Sequence, residues 1–171
     1  MPGTVFLGGD GVTLNTIRPD DYALVEEQHN DPSNRRQAGI SLPWHETDVA
    51  ELVEERDDVV LFLVCRDGDA VGTVLLSGLD SQASRAEIGY IIRPEFHGEG
   101  YATEAADLCL EHAFDDRGLH RVWAQVVEGN EASKRVLEKL GFQREGTLRE
   151  HEYANGERVD VCYYGLLSSE R

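Results

Sequence analysis

At 171 residues the chain has the size of one ordinary domain, which can bury well over half of its unfolded surface without disulfides or metal, so we expect a single domain over residues 1–171. Apolar residues make up 40% of the chain, which excludes wholesale disorder, and no apolar run approaches the ~20 residues that a membrane span needs. The net charge of −17, from 33 acidic and 16 basic residues, disfavours binding to a nucleic-acid backbone.

The first half of the chain predicts helices followed by an antiparallel meander. Acidic residues after Pro19 favour a helix start, and Asp67-Gly68-Asp69 is typical of a tight turn between strands. The predicted elements are a strand over 13–17, a helix from Pro19 to about His29, a second helix after Thr47, and strands over 59–66, 70–79 and 83–93.

The second half changes to a helical period and then returns to strands. Small apolar residues recur at three- and four-residue steps from Tyr101 and predict an amphipathic helix that ends near Gly118. A strand over 121–127 follows, and then a helix that Asn130 caps and Gly141 ends. Asn155-Gly156 predicts a final hairpin of strands 143–153 and 157–167. The fold class is therefore α+β, a mixed sheet with helices on its faces.

The cysteines and the N-terminus narrow the cellular setting. Cys65, Cys109 and Cys162 are an odd number without CxxC spacing, so we expect buried thiols rather than disulfides or zinc ligands. Cys109 and His112 share a helix face, but no second ligand pair accompanies them, so no metal site is predicted. The first residues lack the features of a signal peptide, and a cytoplasmic location is expected.

The acidity itself has two interpretations. An acidic surface attracts cationic substrates, whereas a lysine-poor surface rich in carboxylates also keeps a protein soluble in high salt. Lys134 and Lys139 are the only lysines, and the acidic residues are scattered along every segment rather than collected in one patch. This scatter favours halophilic adaptation over substrate attraction.

A glycine-rich turn, His97-Gly98-Glu99-Gly100-Tyr101, connects a predicted strand to a predicted helix. Free N–H groups at a helix N-terminus favour an anion, and glycine allows a phosphate to approach the backbone closely. The turn lacks the Gly-Lys-Ser/Thr of a Walker A loop, and Thr103 stands where a Rossmann fingerprint needs its third glycine. The residues of the turn alone leave a structural turn and an anion site open.

Three segments in order resemble one family. They are Glu87-Ile88-Gly89-Tyr90 through Gly98-Glu99-Gly100-Tyr101-Ala102-Thr103-Glu104-Ala105, then Asn130 to Phe142, and the tail from Glu145 to Glu150 with Tyr164-Gly165-Leu166-Leu167. Together they resemble the GNAT acetyltransferases, in the branch of the ribosomal-protein N-terminal acetyltransferases (RimJ/RimL-like). The resemblance covers nearly the whole chain and is strongest from Glu87 onward.

This resemblance implies a fold and an acetyl-CoA site. The GNAT fold has about seven mainly antiparallel strands, splayed between the fourth and fifth, and about four helices. The pantetheine arm of acetyl-CoA would lie in the splay, paired with main-chain groups of Ile91 and Ile92, and the amides from His97 to Thr103 would hold the pyrophosphate. The implied cofactor-binding residues are Ile91, Ile92, Arg93, His97, Gly98, Glu99, Gly100, Tyr101, Ala102, Thr103 and Asn130.

The resemblance also implies catalytic roles. Glu87 is the candidate base that deprotonates the acceptor amine, with pairing to an arginine as its structural alternative, and the N–H near Ile92 is the candidate oxyanion donor. Leu137 occupies the position where many relatives carry a tyrosine acid, and Ser133 is the residue proposed in this branch instead. Three tyrosines of the final hairpin are further candidate donors: Tyr153, Tyr163 and Tyr164.

The acceptor is the least determined part. A protein α-amine loses its proton near ~8 and a lysine-like amine near ~10.4, so one modest base fits an N-terminal α-amine better. A small amine such as a polyamine, an antibiotic or an amino acid is the alternative, and an acyl-CoA-binding module without catalysis is the third hypothesis. Leu42-Pro43-Trp44-His45 resembles the segment that lines the acceptor groove, although Trp44 also suits a core anchor. Relatives often form homodimers.

Overall fold

The computed structural model describes residues 2–171. Eight strands lie in these residues: β1 Val5–Gly8, β2 Thr13–Asn15, β3 Val60–Arg66, β4 Asp69–Asp80, β5 Arg85–Ile92, β6 Arg121–Val127, β7 Gln143–Ala154 and β8 Glu157–Leu167. The α-helices of the same residues are α1 Tyr22–Asn30, α2 Pro32–Ala38, α3 Glu46–Glu54, α4 Tyr101–Glu111 and α5 Glu131–Lys139.

The strands form one sheet in the order β1-β2-β3-β4-β5-β6-β8-β7. Every neighbouring pair runs antiparallel except β5 and β6, which are parallel. Their parallel pairing extends over three residues, from Arg85 opposite Arg121 to Glu87 opposite Trp123, and the strands then separate. The predicted α+β class and the splay between two central strands are confirmed.

Helices cover the two faces of the sheet unequally. Side chains of α4 and α5, among them Leu110 and Leu137, pack with the even-numbered residues Ala86, Ile88 and Ile92 of β5 in the larger core. Helices α1 and α3 cover β3 on the opposite face, in a smaller cluster that is described by its buried members: Tyr22, Val25, Val49, Leu63, Cys65 and Ala70. Odd-numbered side chains of β5 therefore point away from α4.

Two elements differ from the sequence prediction. Helix α2 was missed because its residues are polar and bury little apolar surface; the Asp31 carboxylate accepts from the N–H groups of Ser33 and Asn34, and Gly39 ends the helix at φ 68°. Strand β1 was missed because Val5 and Phe6 are about half exposed and do not alternate clearly. The sheet therefore has one strand more than expected.

The helix from Tyr101 and the burial of the three cysteines agree with the sequence prediction. The helix from Tyr101 continues past Glu111 as a π-helical turn over His112–Asp116, and Gly118 follows with φ 63°. The three cysteines are free and buried. Within residues 2–171, no helix is long and apolar enough to cross a membrane, and no cluster of three or more metal-binding side chains is found.

The side chain of Glu104 connects helix α4 to the β1–β2 turn through hydrogen bonds. Its Oε1 accepts from the N–H groups of Gly11 at 2.6 Å and Val12 at 3.1 Å. Hydrogen bonds to a charged acceptor contribute about 1.5–3 kcal/mol. The first turn of α4 is thereby held against the edge of the sheet.

We expect Glu104→Ala to lower the free energy of unfolding by about 1.5–3 kcal/mol, because it leaves two main-chain donors without their acceptor. The measurement is urea denaturation followed by circular dichroism. Glu111→Ala is the matched control, since Glu111 lies exposed on the same helix, and it should change stability by no more than ~0.5 kcal/mol. Equal losses in the two variants would contradict this role of Glu104.

Candidate active site

A cleft of about 440 Å³ opens beside the separated part of β5 and β6. Helix α2, the end of β5, the glycine-rich turn and the first turns of α4 and α5 form its walls. Most of the predicted site residues line it: Ile91, Ile92, His97, Gly98, Gly100, Tyr101, Ala102, Thr103, Asn130 and Ser133. The fold thus brings together residues that are up to 42 positions apart in the sequence, from Ile91 to Ser133.

The glycine-rich turn has a backbone suited to an anion. Gly98 and Gly100 have φ values of 86° and 84°, in the left-handed region that favours glycine. Gly100 caps the N-terminus of α4, where main-chain N–H groups have no partner within the helix and the helix dipole is positive. A Cβ built on either glycine would meet no atom of residues 2–171 within 4 Å, so space for a ligand lies directly above the backbone. The turn fits a phosphate group.

The free edge of β5 offers hydrogen-bonding groups to the cleft. Arg93 N–H donates to Val71 of β4, and the uninterrupted register from Gly72 to Ser77 directs the main chain of the odd-numbered residues to β4. Even-numbered residues face β6, as Ser84 does when its carbonyl accepts from His120 and Arg121. The main chain of Tyr90 and Ile92 therefore faces the gap.

This register corrects the expectation for Ile91. Its main chain faces β4, and its carbonyl also accepts a 2.6 Å hydrogen bond from Gln28 Nε2 of α1. The carbonyl of Ile92 accepts from His97 Nε2 at 2.7 Å, which leaves the Ile92 N–H directed into the gap. The main-chain groups that face the gap are those of Tyr90 and the Ile92 N–H; Ile91 is among the residues that line the cleft, but its main chain faces β4.

Arg93 and Glu99 are not among the residues that line the cleft. The Arg93 guanidinium forms an ion pair of 2.8 Å with Glu95 and donates to the Ala70 carbonyl at 3.2 Å. Glu99 is exposed. Neither the Arg93 side chain nor the carboxylates of Glu95 and Glu99 contribute to the cleft wall, whereas Arg135 and Lys139 of α5 are among the residues that line it.

Asn130 joins two walls of the cleft. Its Oδ1 accepts from the Ser133 N–H at 3.2 Å as the cap of α5, and its Nδ2 donates to the Gln37 carbonyl of α2 at 3.0 Å. Lys134 is 8% exposed and holds the carboxylates of Glu128 and Glu131 at 3.0 and 2.8 Å. Hydrogen bonding to Glu131 raises the pKa of the Lys134 ammonium, so Lys134 stays charged. The two ion pairs of Lys134, with Glu128 and Glu131, are called the Lys134 clamp below. The first turn of α5 is fixed from both sides.

Glu87 lies at the point where β5 and β6 separate, on the sheet face opposite α4. Its half-buried carboxylate accepts a 3.1 Å hydrogen bond from Gln125 Nε2. Burial raises the pKa of this carboxyl, and the Gln125 hydrogen bond offsets part of the rise. Arg121, a neighbouring arginine, pairs with Glu145 instead. Glu87 is not part of the cleft wall, and it faces the other side of the sheet from Ser133.

Tyr90 is a cleft residue that sequence reasoning left without a role. Its hydroxyl lies 2.9 Å from Ser133 Oγ, and both residues line the cleft. Burial raises the pKa of Tyr90 to about 12, so the phenol keeps its proton at neutral pH. Tyr90 belongs to the Glu87-Ile88-Gly89-Tyr90 motif, which could have marked it as a site residue. Its contact with Ser133 depends on how α5 packs on β5, which the sequence does not show.

The tyrosines of the final hairpin lie outside the cleft wall. Tyr164 is 2% exposed in the core, Tyr153 is 61% exposed, and Tyr163 stacks on Trp123 with 5.4 Å between ring centroids. Trp44 stacks on His29 with 3.7 Å between ring centroids and packs against the smaller core, as expected of an anchor.

The splayed sheet, the glycine-rich turn at the start of α4 and the free strand edge form a cleft that suits an extended ligand with phosphate groups. Residues 12–143 match the family model described as "Acetyltransferase (GNAT) domain". The chain belongs to the GNAT acetyltransferase family, and the resemblance found in the sequence is confirmed. It is an N-acetyltransferase.

Named relatives differ in their acceptors. The chain is 41% identical over 104 residues to "Putative ribosomal N-acetyltransferase YdaF" of Bacillus subtilis; the match covers 61% of this chain and 57% of that protein. It is 30% identical over 165 residues to spermidine N(1)-acetyltransferase of Escherichia coli K12, covering 90% and 86% of the two chains. Spermidine N-acetyltransferase from Vibrio cholerae, solved in complex with CoA and spermine, shares the fold with a TM-score of 0.87 at 24% identity, over 95% of this chain and 98% of that one.

Proposed function

We propose that this N-acetyltransferase takes its acetyl group from acetyl-CoA and transfers it to the N-terminal α-amine of a protein. The observation that carries the proposal is the cleft between the anion-binding turn and the free edge of β5. The GNAT family uses acetyl-CoA as its acetyl donor. The glycine-rich turn suits the pyrophosphate of acetyl-CoA, and the strand edge suits its amide-bearing arm. Acetyl-CoA supplies the acetyl group as a thioester.

The residues have separate tasks at the donor site. Main-chain N–H groups from Gly98 to Thr103 bind the pyrophosphate, aided by the positive end of α4. The main chain of Tyr90 and Ile92 pairs with the arm as a neighbouring strand would, and the Ile92 N–H stabilises negative charge that develops on the carbonyl oxygen. Asn130 contacts the arm while it caps α5. Arg93 and Glu99 act through their backbone only.

Glu87 receives the amine proton. Its raised pKa makes the carboxylate a better base than an exposed glutamate. A protein α-amine with a pKa near ~8 needs little help to lose its proton, whereas an alkyl amine near ~10.4 needs more. One such carboxylate therefore favours the α-amine.

A polyamine is the second candidate acceptor. The named spermidine acetyltransferase matches over nearly the whole length of both chains, and the net charge of −17 attracts a polycation. The same charge, spread over the whole sequence, is also the basis for proposing salt adaptation. A cytoplasmic location is proposed from the N-terminal residues, which lack signal-peptide features. A homodimer is proposed by family analogy.

A panel of acceptors tests the function. Thiol release from acetyl-CoA is measured with N-terminal peptides, spermidine and an aminoglycoside at equal concentration. We expect kcat/KM to be at least tenfold higher for a peptide with a free α-amine than for spermidine, and an Nα-blocked peptide carrying a lysine to be the inactive control. A preference for spermidine would replace the first candidate with the second.

Gly100→Ala should raise the Kd for CoA about tenfold or more, because the new Cβ fills the space above the turn where the pyrophosphate binds. Gly118→Ala is a matched control: Gly118 also has a left-handed φ and open space at its Cβ, but it lies outside the cleft. Both variants cost about 1 kcal/mol of stability from backbone strain. Isothermal titration with CoA and thermal unfolding separate the two effects, and an equal Kd in both variants would refute the assigned site.

Glu87→Gln should lower kcat/KM by about 10²-fold at neutral pH, within the range that general bases contribute. Since the active form of Glu87 is deprotonated, wild-type activity should fall as the pH drops through its raised pKa. The part of the fall that is due to Glu87 should be absent from the variant, whose residual activity keeps only the fall caused by protonation of the α-amine. A pH series of kcat/KM with the best acceptor provides the measurement; an unchanged rate at neutral pH would remove Glu87 from the mechanism.

A further inference from the structure

Tyr90 and Ser133 connect strand β5 to helix α5 through their hydroxyl groups across the wall of the cleft. The Tyr90 Oη lies 2.9 Å from Ser133 Oγ and 3.3 Å from the Ser133 carbonyl oxygen. Both side chains are partly exposed to the cleft that they line. A serine in the first turn of a helix usually bonds to nearby backbone, but this hydroxyl meets a phenol from another element.

Two hydrogen-bond arrangements are available because the phenol has one proton and two acceptors within reach. In the first arrangement Tyr90 donates a hydrogen bond to the Ser133 carbonyl, and the serine hydroxyl donates a hydrogen bond to Tyr90 Oη. When Tyr90 donates to Oγ at the shorter distance, the Ser133 proton is released from this pair and can point into the cleft. The second arrangement turns Ser133 into a donor for a group in the gap.

We propose that Tyr90 is a positioning residue which accepts no proton and loses none, and which orients the Ser133 hydroxyl as a hydrogen-bond donor to the departing thiolate of CoA. The inference rests on the proposed donor site, because it requires the thioester sulfur to lie in the cleft. It adds a residue and a role to that site.

The acidity of the leaving thiol explains why an oriented Ser133 hydroxyl can assist without transferring its proton. An alkyl thiol ionises near ~8.5, so a thiolate can leave near neutral pH without first being protonated, and a hydrogen bond stabilises the charge that it acquires. The sulfur keeps the electron pair of the broken C–S bond and takes a proton from solvent afterwards. A serine hydroxyl, which is too weak an acid to transfer its proton, can still donate this hydrogen bond.

The surroundings keep the pair in place. The Ser133 N–H is bound by the Asn130 cap, and the Lys134 clamp fixes the same helical turn. Burial of the phenol keeps Tyr90 protonated over the pH range of the reaction, so it remains a donor. Leu137, at the position where many relatives carry a tyrosine acid, is fully buried and has no proton to offer.

The test compares Tyr90→Phe, Ser133→Ala and the double variant. We expect each single variant to lower kcat about five- to tenfold, the effect of one lost hydrogen bond, with the Kd for CoA within about twofold of wild type. The double variant should be no more than about twofold slower than the worse single variant, because both changes remove the same interaction. Ser133→Thr keeps a hydroxyl and should retain at least half of the kcat.

Tyr22→Phe is the matched control. Tyr22 is another buried tyrosine whose hydroxyl hydrogen bonds to a side chain, Glu54 at 2.6 Å, and it lies on α1 away from the cleft. It should lose stability without losing kcat. Amine-independent hydrolysis of acetyl-CoA is measured in parallel, because it releases the same thiolate and does not depend on the acceptor.

Three results would overturn the proposal: a kcat for Tyr90→Phe within twofold of wild type, a loss in kcat that multiplies with that of Ser133→Ala, or a loss confined to CoA affinity. The last result would mean that the Tyr90–Ser133 hydrogen bond only holds the cleft wall in place for CoA binding. A wild-type protein that does not bind CoA would instead refute the donor site, so the two failures are distinguishable.

Discussion

Strands β5 and β6 pair in parallel over three residues and then separate, which leaves main-chain groups of Tyr90 and Ile92 without a neighbouring strand. Buried main-chain N–H and C=O groups need a hydrogen-bond partner, so a gap within a sheet persists only if solvent or a ligand provides one. An extended ligand with amide groups can pair with the strand edge in this way. The separation of these two strands therefore creates the free edge on which the proposed donor site rests.

The remaining elements place specific groups around the gap. The main chain of β5 ends in the turn with Gly98 and Gly100, and α4 begins there with its N–H groups directed at the same space. Helix α5 closes the other wall because Asn130 and Lys134 fix its first turn. The glycine-rich turn presents backbone N–H groups that suit an anion even though the chain carries a net charge of −17. The nearby carboxylate of Glu95 is held by Arg93, outside the cleft wall.

Glu87 and Ser133 face opposite sides of the sheet at the same gap. This arrangement suits a transfer in which the amine approaches from one side and the thiolate leaves on the other. The groups available are a half-buried carboxylate with a raised pKa and a serine hydroxyl 2.9 Å from the Tyr90 hydroxyl, a modest base and a weak acid. Such modest chemistry is sufficient for an α-amine acceptor and a thiolate leaving group, and it agrees with the buried leucine at position 137.

The sequence alone determined the family, the α+β class and most of the residues that line the cleft, because glycine spacing, the Asn130 cap and the Asn155-Gly156 turn are local signals. It missed α2 and β1, whose residues bury too little apolar surface to give a periodic pattern. Tertiary structure alone decided that the Ile91 main chain faces β4, that the Arg93 side chain binds Glu95, and that Tyr90 meets Ser133. The physical reason is that strand register and helix packing, rather than the local chain, set which atoms face one another.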